Sequence, residues 1–421
     1  MNHFGVPMKS AYGLTVPQEN IELTHVEAGS PMGELLRRYW HPVALSSELR
    51  DLPKKVKILC EELVLFRAKS GVVGCLSPHC SHRGTSLEWG RVESNGLRCC
   101  YHGWLYAPDG RVTEMSCETR EFCAKANIQH PAYPVHEFGG LVFIYMGPPD
   151  KKPLFPMYDI IDTRYRDDVE LRGMQLWDGY GIGYVRDCNW LQHHENVVDP
   201  WHLLVLHQQI SGDQFDGALM QGNSRIDFET TDIGVRYQVI KDLPNGNRLV
   251  RYAEIVTPNV ILVPNIHEKG TDVKSKDRCT EITWTVPVDN EHLTAFSIVA
   301  WPLENGKPKE NWMPGTDVRI EVRPAGNIKR SYEERQRYPD DAEAQEGQRP
   351  IAIHALERLA PSDRGIVMLR RMLKEQLSAM KEGADPMNIV RDEGKNHRIP
   401  THAWNTVLSP AQASLHKGEE A

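Results

Sequence analysis

The sequence predicts an α+β protein in which a small β-rich domain is inserted into a larger domain of helices and antiparallel strands. Short apolar runs broken by Gly, Pro and Asp fill residues 56–145, as is typical of short β-strands. Apolar and polar residues alternate over 282–288, and a turn then leads into 293–301, which predicts an antiparallel hairpin with one buried face. Residues 362–381 are predicted to be helical, with Ser362 as the N-cap.

The remaining elements follow from breakers and apolar runs. Pro31 begins a predicted short helix over residues 31–40. Strands are predicted at 56–59, 63–67, 72–76 and 141–145. A run rich in Pro and Lys at 147–153 marks the end of the insert. The predicted domains are residues 1–40 (first part of the catalytic domain), 41–150 (β-rich insert) and 151–421 (the rest of the catalytic domain).

Composition limits the function classes. The chain has 421 residues, with 49 Lys+Arg against 57 Asp+Glu, so its net charge is 49 − 57 = −8. This acidic surplus argues against nucleic-acid binding, which needs a basic surface. No apolar run approaches the roughly 20 residues that span a bilayer. An odd set of nine cysteines does not indicate a disulfide framework. We therefore expect a cytoplasmic protein with some metal-bound thiolates.

A first metal pattern lies in the predicted insert. Cys80 and His82 are two positions apart, and Cys99 and His102 are three apart. Two Cys and two His can bind zinc tetrahedrally, or they can hold a [2Fe–2S] cluster of the Rieske type, with two thiolates on one iron and two imidazoles on the other. The spacing alone leaves both possibilities open.

A second pattern surrounds His202 and His207. On a regular helix these two residues point about 140° apart, so the helix must widen or end between them if they are to meet at one metal. Asp199 lies three residues before His202 on the same helical face, where its carboxylate could accept a hydrogen bond from an imidazole.

Both patterns resemble one family. The runs Cys80-Ser-His-Arg-Gly-Thr-Ser-Leu and Leu97-Arg-Cys-Cys-Tyr-His-Gly-Trp resemble the Rieske domain of bacterial aromatic-ring oxygenases, which usually have Pro where this chain has Ser81. The run Glu195-Asn-x-x-Asp-Pro-x-His-x-x-x-x-His resembles the mononuclear-iron motif of the same Rieske non-haem iron oxygenases. The resemblance to their oxygenase (alpha) component extends from Pro31 to about Leu373.

The resemblance implies roles for particular residues. It places Cys80, His82, Cys99 and His102 on a [2Fe–2S] cluster, leaves His79 and Cys100 as bystanders, and places His202 and His207 on a mononuclear Fe(II). The third iron ligand would be a carboxylate from residues 338–346, which look like the phthalate-dioxygenase branch. Asp341 is the predicted ligand and Asp340 its competitor. Asp199 would carry electrons between His102 of one chain and His202 of the next, and Asn196 would lie near the iron.

The resemblance also implies a fold and an activity. The larger domain would be helix-grip-like, and the protein would be a homotrimer or a multiple of trimers. Electrons would pass from NADH through a separate flavin/iron–sulfur reductase, possibly with a ferredoxin, to the cluster and then to iron and O2. The matching region looks closest to branch members that O-demethylate lignin-derived aromatic acids such as 5,5′-dehydrodivanillate, releasing formaldehyde. Cis-dihydroxylation of a phthalate-like acid is the alternative, and a non-catalytic electron carrier would need only the first pattern.

Arg251 is the predicted substrate anchor. It lies on a predicted strand that begins at Arg248 and leads into the apolar residues 260–263, and comparable strands line the pocket of the family. A guanidinium can bind a carboxylate through two parallel N–H groups. The alternative is a surface residue that is paired with Glu254 or Asp242.

Overall fold

The computed structural model describes residues 13–176, 185–211, 224–265, 271–310, 312 and 330–415. The described α-helices are α1 Ile21–Thr24, α2 Pro31–Leu36, α3 Arg120–Ala126, α4 Trp190–Val197, α5 Trp201–Leu204, α6 Tyr332–Arg337, α7 Asp341–Glu346, α8 Arg364–Lys381 and α9 Pro410–Leu415. No helix among these residues is long and apolar enough to cross a membrane.

The β-rich insert consists of three small antiparallel sheets, ordered β1-β11-β10, β2-β3-β4-β9 and β5-β6-β7-β8. Their strands are β1 Trp40–Leu45, β2 Lys54–Ile58, β3 Glu61–Arg67, β4 Val73–Leu76, β5 Arg91–Glu93, β6 Gly96–Arg98, β7 Leu105–Tyr106, β8 Val112–Glu114, β9 Ala132–Tyr133, β10 Val135–Phe138 and β11 Leu141–Tyr145. The four strands predicted in this region are present with boundaries shifted by at most two residues.

The larger domain is built on one antiparallel sheet with the path β12-β19-β18-β16-β15-β14-β13, to which β17, β20 and β21 are added. Its strands are β12 Val169–Gln175, β13 Ser224–Thr230, β14 Gly234–Asp242, β15 Arg248–Val256, β16 Val260–Leu262, β17 Lys274–Arg278, β18 Glu281–Pro287, β19 Leu293–Glu304, β20 Lys307–Pro308 and β21 Trp404–Leu408. The fold is therefore α+β, as predicted.

Helices cover one face of the large sheet. Leu203 of α5 and Met368 of α8 pack on a cluster that includes Leu249 and Ala253 of β15. On β18, the Thr285 hydroxyl lies 3.4 Å from Nδ1 of His194 in α4. We call this the helix face of the sheet.

The predicted hairpin is confirmed as β18 paired with β19, but the prediction of one buried face is wrong. Thr283 and Thr285, the expected polar side, are also buried. The reason is that α4 covers them, while the apolar side of β18 meets the insert. Phe143 of β11 lies edge-on to Trp284, with ring centroids 5.2 Å apart.

Two helix boundaries differ from the predictions. The helix that begins at Pro31 ends at Leu36 rather than residue 40, because Trp40 pairs with Tyr145 in the β1-β11 ladder. Ser362 is not an N-cap. The N–H of Asp363 instead donates to the carbonyl of Ala360 at 2.9 Å, which closes a 3₁₀ turn before α8 starts at Arg364.

The order of elements is that of an inserted domain. Helices α1 and α2 pack against α8 of the larger domain, while the strands between residues 40 and 145 pair with one another. Residues before β1 thus lie with residues after 150. The exact boundaries at residues 40/41 and 150/151 stay predictions.

Candidate metal centres

Two turns of the same kind present the first set of metal donors. The Gly84 N–H donates to the Cys80 carbonyl at 2.8 Å, and the Gly103 N–H donates to the Cys99 carbonyl at 3.1 Å. Both glycines have positive φ, +75° and +71°, a conformation that L-residues with side chains adopt at a cost. Each turn therefore places a Cys at its start and a His within it.

The two cysteines of this set are buried, whereas His82 is exposed and His102 is half-buried. The two thiols of Cys80 and Cys99 are buried, and burial, with a smaller contribution from the neighbouring Cys80, raises the pKa of Cys99. The rings of His82 and His102 lie side by side with centroids 4.5 Å apart. Trp104 stacks on the His82 ring, with centroids 4.8 Å apart, and so limits its rotation.

This donor set fits a Rieske cluster. Two adjacent buried sulfurs suit the inner iron, and two neighbouring imidazoles at the surface suit the outer iron. Cys100 is exposed, and Nδ1 of His79 is bonded to the Gly84 carbonyl at 3.1 Å. Both residues predicted to be bystanders are thus placed outside the group of four.

The second set of donors lies where α5 runs into a π-helical segment, Val205–Ile210. The Ser211 N–H donates to the Leu206 carbonyl, five residues back, at 3.0 Å. Of the two predicted possibilities, that the helix widens or that it ends between His202 and His207, the structure shows the widening. Their rings consequently meet, with centroids 5.4 Å apart.

Asp341, the first residue of α7, completes this group. Its Oδ1 lies 3.5 Å from Nε2 of His202 and 3.3 Å from Nε2 of His207. The ligand atoms of the three residues all lie within 4.8 Å of one another. Two imidazoles and one carboxylate are the donor set of a facial triad, which leaves open positions on a non-haem iron.

The electrostatics of Asp341 suit a cation ligand. Burial opposes its ionisation, but the hydrogen bond from His207 and the charges of His202, His207 and Arg186 hold its pKa well below the usual range. The carboxylate is therefore ionised at neutral pH, as a metal ligand must be.

Asp340 has a different role in the structure. It is the N-cap of α7: its carboxylate accepts from the Ala342 N–H at 2.8 Å and from Nη1 of Arg330 at 2.8 Å. Burial and the neighbouring Glu343 raise the pKa of Asp340 to about 6. With both oxygens engaged away from the histidines, the geometry favours Asp341 over Asp340 as the ligand.

Asn196 and Asp199 lie beside the triad. The Asn196 amide donates to Oδ1 of Asp341 at 3.3 Å. The prediction that an imidazole donates to the Asp199 carboxylate is wrong, because Nδ1 of His202 is bonded to the Asp199 backbone carbonyl instead. The carboxylate instead lies against the backbone N–H groups of Trp201 and His202 at the start of α5. A carbonyl acceptor still fixes the His202 tautomer, because Nδ1 then carries the proton and Nε2 faces Asp341.

Arg251 lies on the helix face of β15 and is 1% exposed, so the surface alternative is wrong. One nitrogen, Nη1, donates to the Asn265 carbonyl at 2.9 Å and to Oδ1 of Asn405 at 3.2 Å. Its Nε and Nη2 are buried and have no hydrogen-bond partner among the described residues. Glu254 and Asp242, the expected partners, bond to His402 and Arg248 respectively.

Glu281 lies on the same face of the sheet as Arg251. Thr283 pairs with Ile261, and Ile261 pairs with Ile255, so residues 281, 283, 255 and 251 point to one side. Glu281 is half-buried as a residue, but protein atoms surround its carboxyl group. This burial raises the pKa of the carboxyl to about 7. No side chain of the described segments is bonded to this carboxyl. Arg251 and Glu281, neither of which has an ion-pair partner in the described part of the chain, thus share one wall of the space between sheet and helices.

The sequence did not indicate one network beside the site. Arg370 of α8 forms paired hydrogen bonds with Glu195 and with Glu357 at 2.5–2.9 Å. These residues, with Asn196 and Asp199, line a depression of about 450 Å³. The two carboxylates and His354 lie close enough to one another to hold a metal ion, but the Arg370 guanidinium already bonds all four carboxylate oxygens. No local pattern could have paired residues so distant in the chain.

Residues 39–134 match the family model of the Rieske [2Fe-2S] domain. This range encloses the first set of donors and most of the β-rich insert.

Relatives match most of the chain. Phenoxybenzoate dioxygenase subunit alpha of Ectopseudomonas oleovorans is 40% identical over 90% of this chain and 90% of its own length. The tert-butanol monooxygenase / tert-amyl alcohol desaturase oxygenase subunit of Aquincola tertiaricarbonis is 36% identical over 93% of this chain and 83% of its own length. The 5,5′-dehydrodivanillate O-demethylase oxygenase subunit of Sphingobium sp. (strain NBRC 103272 / SYK-6) is 30% identical over 91% and 85%.

Solved structures share the fold. The QL mutant of NdmA from Pseudomonas putida CBB5, solved with caffeine, superposes with a TM-score of 0.56 over 84% of this chain and 94% of that chain, at 21% identity. At this identity the likeness supports the architecture alone.

Proposed function

The chain belongs to the Rieske non-haem iron oxygenases as an oxygenase component, and from that membership we propose that it O-demethylates a methoxylated aromatic acid. The observation that carries the proposal is the convergence of His202, His207 and Asp341 in a chain that also holds two Cys and two His in a Rieske domain. An electron carrier would not need the second group. When bound, the cluster supplies single electrons and the mononuclear iron supplies O2 chemistry at its open positions.

The residues of the chain would hold and connect these centres. His202, His207 and Asp341 would bind the iron, and the Asn196 amide would orient the Asp341 carboxylate. The imidazoles of His82 and His102 lie at the surface of the insert, while Asp199 borders the depression next to α5. In a homotrimer, His102 of one chain would dock beside Asp199 of the next. Asp199 would thus lie between the cluster and His202.

Arg251 supports an acidic substrate. Among the residues that the structure describes, its buried guanidinium bonds only neutral oxygens, and a buried positive charge is costly unless an anion joins it. By their names, two of the relatives act on aromatic acids that carry an aryl ether, phenoxybenzoate and dehydrodivanillate. The third relative is named for tert-butanol, which has neither a ring nor a carboxylate, so the names of the relatives do not agree on an acid. The proposal that the substrate is an acid therefore depends on Arg251.

The proposed reaction hydroxylates the methyl carbon of an aryl methyl ether. O2, two electrons and two protons convert the ether into a hemiacetal and water, and the hemiacetal collapses to a phenol and formaldehyde. The chain would position the methyl group against the iron by holding the distant carboxylate at Arg251. The electrons would come from NADH through a separate flavin/iron–sulfur reductase, with or without a ferredoxin, in a bacterial cytoplasm.

Dioxygenation of the ring is the second candidate. It is favoured by the name of the relative at 40% identity, a phenoxybenzoate dioxygenase. The ligands themselves do not distinguish the two outcomes, because the position of the substrate over the iron decides which carbon is oxygenated.

A product screen tests the proposal. The purified protein, with a reductase and NADH, is incubated with methoxylated, phenoxylated and dicarboxylated aromatic acids under ¹⁸O2. We expect formaldehyde and a phenol whose oxygen is unlabelled from a methoxylated acid. A doubly labelled ring diol without formaldehyde would establish the second candidate instead, and NADH oxidation without any oxygenated product would contradict both.

A further inference from the structure

The loop that carries Cys80 departs from the family pattern at one position, and the structure gives that position a hydrogen bond. Ser81 stands where the family usually has Pro. The Ser81 N–H donates to the Tyr106 hydroxyl at 3.1 Å. That hydroxyl lies 2.9 Å from the Cys80 sulfur. Since a proline has no N–H, the usual residue could not make the first of these bonds.

The chemistry of the sulfur fixes the direction of both bonds. A thiolate that ligates iron has no proton, so it can only accept. Tyr106 must then donate its O–H to Cys80, and its oxygen is left to accept the Ser81 N–H. Bonds in such a series polarise one another, so a donor to the phenol oxygen strengthens the bond from the phenol to the sulfur.

A second contact holds Ser81 in place. Nε2 of His130 is bonded to the Ser77 carbonyl at 2.9 Å, and burial lowers the pKa of His130. A neutral ring that donates through Nε2 must accept through Nδ1, and the Ser81 hydroxyl lies 2.7 Å from that atom. His130 is 1% exposed and packs on the Tyr106 ring at 4.8 Å. The hydroxyl therefore anchors the loop, while the backbone N–H serves Tyr106.

We propose that the Ser81 N–H, acting through Tyr106, raises the reduction potential of the cluster above that of the same loop with proline. The inference rests on the proposed function, because it needs the cluster. Hydrogen bonds to the sulfurs stabilise the reduced form, which carries one more negative charge. Ser81 is thus a positioning residue that makes the cluster a stronger acceptor for the electron from the reductase.

Redox titration of the purified holoprotein, followed by its visible and EPR spectra, tests this role. Ser81→Pro removes the N–H and the hydroxyl, whereas Ser81→Ala removes only the hydroxyl. Tyr106→Phe removes the intermediate O–H. We expect a more negative potential for Ser81→Pro and for Tyr106→Phe, a potential near that of the wild type for Ser81→Ala, and no further shift when Ser81→Pro is added to Tyr106→Phe.

Each deviation has a defined meaning. An unchanged potential in Ser81→Pro would overturn the proposal. An equal shift in Ser81→Ala would also overturn it, since the hydroxyl and not the N–H would then be responsible. A wild type without the spectra of a Rieske cluster would contradict the proposed function itself, so the two failures can be told apart.

If Ser81→Pro does not assemble the cluster, amide hydrogen exchange tests the bond between the Ser81 N–H and Tyr106 instead. If the Ser81 N–H is bonded to Tyr106, peptides that contain Ser81 should exchange one amide faster in Tyr106→Phe than in the wild type, at equal cluster content. Identical exchange in the two proteins would remove the bond on which the proposal stands.

Discussion

The amide of Asn196 donates to Oδ1 of Asp341 at 3.3 Å, joining two residues 145 positions apart in the chain. The contact brings the end of α4 to the start of α7, and it fixes one oxygen of the carboxylate that faces both histidines. If Asp341 binds the iron as proposed, Asn196 orients that ligand without binding the iron itself.

Loss of this amide should weaken iron binding. In Asn196→Leu the Asp341 carboxylate can rotate away from His202 and His207, and contacts of this kind are typically worth about 10–100-fold in metal affinity. We expect the mononuclear iron to be removed by a chelator at least tenfold faster, with cluster iron and sulfide retained. An unchanged rate would show that Asp341 is held by other contacts.

Asp199→Asn should separate cluster reduction from oxygenation. The amide keeps the volume next to His202 but lacks the charge that would couple the neighbouring cluster to it. The cluster should still be reduced normally by the reductase, while product formation slows by orders of magnitude. Asp363→Asn is the matched control, because Asp363 is a carboxylate near Asp199 that accepts the Ala360 N–H. Similar turnover in both variants would remove Asp199 from the electron path.

Arg251→Met should affect acidic substrates selectively. With the substrate found in the product screen, KM should rise at least tenfold, about 1.4 kcal/mol. It should change little for the corresponding uncharged ester. Arg248→Met provides the control, since Arg248 lies on the same strand but pairs with Asp242. A parallel loss on acid and ester would mean that the substitution damaged the pocket and not an anchor.

The stability of the protein should fall with rising pH because of Glu281. The folded-state pKa of about 7 lies above the ordinary value of 4.5, so the folded form holds this proton more tightly. The corresponding stability is fully present below about pH 4.5 and is lost as the pH rises through 7. The Glu281→Gln variant has no ionisable group at this position, so it does not lose this stability as the pH rises. The Tm of the variant relative to the wild type should therefore rise between pH 5 and pH 8, and a difference that does not vary with pH would contradict the burial of this carboxyl.

Local sequence patterns predicted the parts of the site that lie within single turns. The five-residue spacing of His202 and His207 required a helix that widens or ends between them, and the π-helical segment supplies the widening. Asp341 lies 134 residues from His207, so no spacing rule could connect them, and only the family resemblance indicated it. The sequence did not predict that the Asp199 backbone carbonyl is the acceptor for His202, because every residue has such a carbonyl and the sequence does not show which one an imidazole meets. The burial of Arg251 depends on how strands pair and on which face the helices cover.

The iron and acid-labile sulfide content per chain tests most directly the central claim that one chain holds both centres. After anaerobic loading with Fe(II), the wild type should contain about three iron and two sulfide per chain, a [2Fe–2S] cluster plus one iron. Asp341→Ala should lose one iron and keep the sulfide. Asp340→Asn, which retains the N-cap of α7, should keep both. A wild type with only two iron, or an Asp341→Ala variant with all three, would contradict the account.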